Sequence, residues 1–141
     1  MTRLALLLPV LIGLTSRYDI GVMPATVAAR VEHGTITREQ VATHDGFAAV
    51  VDCSLIGTTI WAQVNGGLHV TTGEPVAGQE WRRLLVADCA RRDDGDGAKS
   101  WMLDNNILIE IDGELAQQYG YTHLGPLPVV VSTVKPLFGA N

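Results

Sequence analysis

Three apolar runs in this chain stop on an aspartate: FAAVVD at 47–52, EWRRLLVAD at 80–88 and NNILIEID at 105–112. Short runs rich in Val and Ile between polar breaks have the length and make-up of strands. In the third, Ile107, Ile109 and Ile111 share one face while Leu108 and Glu110 share the other, the period of two that a half-buried strand shows. TTIWAQV (58–64) is a further strand, turned by NGG at 65–67, with LHVTTG (68–73) as its short return. LPVVVSTV (127–134) is the last, with Pro126 and Pro128 at its edge, where a missing N–H costs no ladder bond.

Helical signals are fewer. MPATVAARVEHG (23–34) has Pro24 at a first helical position, Val27 and Val31 on one face, and Gly34 as a stop. TREQ (37–40) matches a capping box, with Thr37 as cap and Gln40 reaching back; the alternative is a plain surface loop. GELAQQYG (113–120) gives one or two turns closed by Gly120. Many strands and little helix in 141 residues predict one compact, mainly β domain.

The first 16 residues, MTRLALLLPVLIGLTS, stand apart. Arg3 followed by the apolar stretch Leu4–Leu14 resembles a secretion signal. The stretch is too short for a comfortable membrane span. Two other readings stay open: a segment that packs on a partner or a membrane, and a buried first element. The expected division is therefore residues 1–16 as a signal-like or docking segment and 17–141 as the domain. Cys53 and Cys89 have no CxxC spacing, which argues against a zinc knuckle. A disulfide between them fits a secreted or envelope-associated protein; two reduced core cysteines would fit a cytoplasmic one. The net charge of −5 excludes a duplex nucleic-acid partner, which needs clustered Lys and Arg.

AAVVDCSLIGTTIWAQVNGG, RRLLVADC and NNILIEIDGELAQQYG follow one another as strand–Asp–loop–Gly-Thr–strand, strand–Asp, and strand–Asp–helix–Gly. In that order they resemble the double-psi β-barrel of RlpA-like, expansin-like and three-aspartate cell-wall domains, over residues 44–120. The resemblance implies a six-stranded double-psi-like barrel with short helical insertions. It also implies three aspartates around one groove, here Asp52, Asp88 and Asp112, and a lytic transglycosylase reaction on peptidoglycan or another polysaccharide. One acid must stay protonated near neutral pH while another carboxylate steadies an oxocarbenium-like centre. Asp112 is expected as the acid, Asp52 as a helper and Asp88 as an orienting group, with no cofactor. The chain departs from the family at Ile56-Gly57-Thr58, where a proline usually precedes Gly-Thr. It departs again at Cys89-Ala90-Arg91, where a glycine turn is usual, and at Val51 or Asp52, where RlpA-like enzymes carry a histidine. These departures keep open a non-catalytic structural or interaction barrel among the protein subunits of an envelope, filament or virion assembly. A small secreted inhibitor or carbohydrate-binding module is a third reading.

Each candidate also has a plain structural role. Asp112 suits the N-cap of the helix that follows it, and Glu114 suits the dipole of its first turn. A Cys53–Cys89 bond would bring Asp52 and Asp88 near one another and raise one pKa, or merely brace a turn beside two solvated acids. Trp61, Trp81 and Trp101 can pack a core or stack on sugars; Trp101, after a polar loop, and Tyr119 are the groove candidates. DDGDG (93–97) lacks the closing glutamate of a calcium loop and reads as an acidic loop. His33, His44, His69 and His123 show no metal-ligand spacing, and no phosphate loop or Gly-x-Ser-x-Gly elbow is present.

Overall fold

The computed structural model describes residues 10–64, 81–90, 98–119, 121 and 126–136. The expected strand at 68–73, the NGG turn, the acidic loop at 93–97, His69 and His123 lie outside these residues. Six strands form a closed barrel: β1 (Val10–Arg17), β2 (Gly46–Val50), β3 (Thr59–Val64), β4 (Arg82–Cys89), β5 (Ile107–Ile111) and β6 (Leu127–Ser132), in the spatial order β1-β5-β2-β4-β3-β6. β1 runs parallel to β5 and β2 parallel to β4; the other four neighbours are antiparallel. Exchanging β1 with β4, β2 with β5 and β3 with β6 leaves every pairing and its direction unchanged. The barrel thus has an internal twofold pattern, in keeping with the double-psi-like, mainly β expectation.

Among the described residues four short α-helices decorate it. α1 (Val22–Glu32) and α2 (Arg38–Thr43) join β1 to β2, α3 (Ala98–Asp104) precedes β5, and α4 (Gly113–Gln118) follows it. Gly21, at φ 87°, starts α1 in a left-handed conformation that favours glycine. Thr37 and Gln40 form the capping box of α2 that their spacing suggests, its two bonds 3.1 and 2.9 Å long. Val86, Ile109, Ile111 and Val129 fill the barrel with Leu115 and Tyr119 against them. Each aliphatic side chain buried this way stabilises the fold by about 1.5–3 kcal/mol. A second cluster lies outside the wall, where Met23, Val27 and Ile36 cover Ala49, Leu85 and Ala87.

One expectation changes. The domain begins before residue 17: Val10–Arg17 is a strand with β5 on one edge and β6 on the other. A cut at residue 16 would remove most of a strand that closes the barrel. Residues 98–104, to which the sequence assigned no element, form α3, whose Met102 is buried.

Candidate functional site

Asp112 lies one residue past β5. Its backbone N–H donates to Phe47 O at the start of β2 (3.0 Å), because β2 and β5 are antiparallel. Asp52 lies beyond the other end of β2, at Val50. Five residues of strand, roughly 16 Å, therefore separate the two along β2. Asp88 pairs with Ala49, and Ala49 with Glu110, which sets Asp88 two strands from β5 and roughly 10 Å from Glu110. The three aspartates are not gathered at one point. Asp88 stands between the other two.

The Cys53–Cys89 disulfide forms, with Cα atoms 5.0 Å apart. It does not couple the neighbouring acids. Asp52 is exposed and turns to its own loop, where Oδ1 accepts from Ser54 N (2.9 Å) and Ser54 Oγ (2.7 Å). Those two donors hold its pKa below the ordinary value, opposite to the rise that two facing carboxylates would cause. Asp88 turns to the outer face of the barrel. Its Oδ2 accepts from the Tyr18 hydroxyl (2.6 Å), and its Oδ1 meets Arg30 Nη2 (3.3 Å). Arg30 also donates from Nε to Ala87 O (3.1 Å), which ties α1 to β4. Burial, helped by the Asp88 and Glu110 charges, pushes the Tyr18 phenol well above its ordinary pKa.

Asp112 is the N-cap of α4, accepting from Glu114 N (3.2 Å), as its position before GELAQQ suggests. It is only 6% exposed. Residues 18–21 cross over this helix start: a Cβ on Gly113 would lie 2.5 Å from Tyr18 O and 2.8 Å from Ile20 N. Glu114 Oε1 accepts from Gly21 N at 2.7 Å. Glu114 Oε2 is buried and has no hydrogen-bond partner among the described residues. Burial first, and the hydrogen bond to Glu114 second, raise Asp112 to about 7. Glu114 moves the other way, held ionised by the hydrogen bond from Asp112. The two carboxyl groups at this strand end are thus pushed in opposite directions, beside the Tyr18 that reaches Asp88.

Tyr119, expected in a groove, is 2% exposed and belongs to the core. Its hydroxyl accepts from Arg82 Nε (3.1 Å), whose guanidinium lies 5.5 Å from the ring centre. Trp101 is 42% exposed on α3, at the opposite end of β5 from Asp112. His44 closes α2 structurally. Its Nδ1 lies 2.6 Å from Gln40 O, which can only accept, so the proton sits there and Nε2 accepts from the Thr59 hydroxyl (2.8 Å). Among the described residues no three His, Cys, Asp or Glu side chains gather as a metal site. An apolar groove of about 960 Å³ runs between α1 and α2, walled by Pro24, Val27, Val31, Ile36, Val41 and Phe47. None of the three aspartates lines it.

Sequence reading did not find Tyr18 and Arg30 as members of the site, and it took Glu114 only as a charge on the helix dipole. Their partners lie 70, 58 and 93 positions away, and only the polar break SRYD after an apolar run marks Tyr18 at all. The disulfide fits an oxidising compartment. No helix among the described residues is long and apolar enough to cross a membrane. Comparison of the chain with protein-family models, curated proteins and solved structures finds no match.

Proposed function

We propose that this barrel is an exported, cell-wall polysaccharide-active protein that cleaves glycosidic bonds of peptidoglycan in the manner of a lytic transglycosylase. The observation that carries the reading is the Asp112–Glu114 pair: a carboxyl group raised to about 7 beside an ionised one, under residues 18–21, whose Tyr18 reaches across to Asp88. Asp112 donates its proton to the glycosidic oxygen as the bond to the anomeric carbon breaks. Asp88, which meets Arg30 and the Tyr18 hydroxyl, steadies the positive charge on the sugar. A hydroxyl of the same sugar closes on the anomeric carbon, and its proton passes to a carboxylate as the anhydro product forms. Asp52, engaged with Ser54 at the far end of β2, has no part in this scheme. Trp101, also distant, is not a subsite of it.

A non-catalytic interaction barrel is the second reading. It is favoured by the small exposure of Asp112 and by its evident service as a helix cap. Digestion of purified peptidoglycan, with mass spectrometry of the released muropeptides, separates the two. Anhydro-muropeptides released by the wild type and absent with Asp112→Asn support the enzyme. No release from several peptidoglycan types by folded wild-type protein leaves the interaction barrel.

A further inference from the structure

The groove between α1 and α2 has an apolar interior and one charged end. Its floor is Val27 and Ile36, 6% and 1% exposed. Val31, Val41 and Phe47 form half-buried walls. None of the large apolar side chains that stand exposed among the described residues lines it. The apolar surface is therefore recessed. That suits a slim ligand better than a protein face, whose interface needs about 800 Å² per partner. The groove's volume of about 960 Å³ lies at the upper end of the range for small-molecule pockets, roughly 300–1,000 Å³.

The connection between the two helices builds the charged end. Thr35 N and Ile36 N both donate to Arg30 O, at 2.9 and 3.3 Å, which folds the chain back on the last turn of α1. Arg38, the first residue of α2, thus begins beside Glu32, the last of α1, and both line the groove. They do not satisfy each other: neither has an ion pair or side-chain hydrogen bond among the described residues. A carboxylate and a guanidinium at one mouth, each without a partner, complement a ligand that carries both signs. Glu32 would repel a bare anion there, and Arg38 a bare cation. Away from this end the lining is apolar as far as Pro24, roughly 12 Å back along α1.

We propose that this groove binds a zwitterionic amphiphile with a single alkyl chain. Its phosphate meets Arg38, its ammonium meets Glu32, and its chain lies over Val27 toward Pro24. None of the three aspartates lines the groove, so the proposal stands whether or not the barrel cleaves polysaccharide. The test is calorimetric titration of the full-length chain with dodecylphosphocholine, kept below its micelle concentration. Dodecyl maltoside, with the same chain and an uncharged head, is the comparison. Ala28→Trp fills the groove from an exposed position on α1, and Glu32→Ala with Arg38→Ala removes both charges. All three side chains are exposed, so both variants should keep the melting temperature of the wild type. The expected result is saturable binding of dodecylphosphocholine, about tenfold tighter than that of the maltoside. Ala28→Trp should weaken it by about tenfold or more, and the double variant should bring it down to the level of the maltoside. Absence of saturable binding by the wild type overturns the proposal. So does binding that Ala28→Trp leaves unchanged, which would be detergent adsorbed elsewhere. Equal affinity for the two detergents, untouched by the double variant, overturns the zwitterionic head. A concentration-dependent dimer that Ala28→Trp abolishes, without detergent binding, would assign the groove to a second copy.

Discussion

At the ends of β2 and β5 the chain performs the same local manoeuvre. An aspartate leaves the strand, its carboxylate accepts the N–H two residues on, and a short helical turn begins: Cys53–Leu55 after Asp52, Gly113–Gln118 after Asp112. The barrel's twofold pattern makes the two sites counterparts, yet their electrostatics are opposed. Asp52 faces water and a serine hydroxyl, and its acidity is strengthened. Asp112 lies under residues 18–21 against a second carboxyl group, and its acidity is weakened. Local sequence sets the cap; what is laid over the cap sets the proton affinity.

The residue after each aspartate shows how each end is fastened, by Cys53 at one and Gly113 at the other. Closing a loop of 36 positions by the disulfide restricts the unfolded chain, so Cys53→Ala with Cys89→Ala should cost about 4 kcal/mol. Chemical denaturation in parallel with reduced wild type measures it; a cost near zero would mean that the Asp52 end is held by packing alone. Gly113→Ala should cost about 3 kcal/mol, because its Cβ would meet backbone atoms of Tyr18, Asp19 and Ile20, which have no side-chain freedom with which to yield. If thermal melting shows less than about 1 kcal/mol of loss, residues 18–21 lift off easily and the burial of Asp112 is not rigid.

The smallest effect is the sharpest test of the contrast. Between the ordinary carboxylate pKa and about 7, folded Asp112 holds a proton that the unfolded chain has released. Stability therefore falls as pH rises through that window, and is flat above it. Asp112→Asn should remove this slope and leave the protein about 1 kcal/mol more stable than wild type at pH 8, the opposite shift of Glu114 reducing the gain. Asp52 has the reverse sign. Its stabilisation is present above its unfolded pKa and is lost as pH falls through the lower folded one. In its exposed setting, Asp52→Ala should cost only about 0.5 kcal/mol near neutral pH. Melting curves across pH for both variants decide the matter; parallel slopes would erase the distinction between the two ends.

The strands that alternate or run apolar between clear breaks were legible. Ile107–Ile111 is a strand with the faces its isoleucines indicate, and Thr59–Val64 and Leu127–Ser132 lie within the runs expected. Pro24 and Gly34 framed α1 to within two residues. Val10–Arg17 was not legible, because LALLLPVLIGL has no alternation and matches a leader as well as a buried strand. The caps at Asp52 and Asp112 could be read from the residues that follow them. The tie from Tyr18 to Asp88 and the clasp of Glu114 on Gly21 could not, since tertiary contacts across dozens of positions leave no periodic trace. Tyr119 misled because an aromatic at a helix end looks like a rim residue until the barrel closes over it.

The β1–β6 ladder has a consequence in time. Its residues run from Val10 opposite Ser132 to Thr15 opposite Leu127, so the wall cannot shut until both strands are present. A barrel sealed by its most distant strands has a high contact order, and such folds form slowly because loop closure precedes the reward. During synthesis, β1 waits for β5 at one edge and for β6 at the other. Until the last strand emerges, an edge of β1 stays open, and such an unpaired edge invites strand-to-strand aggregation.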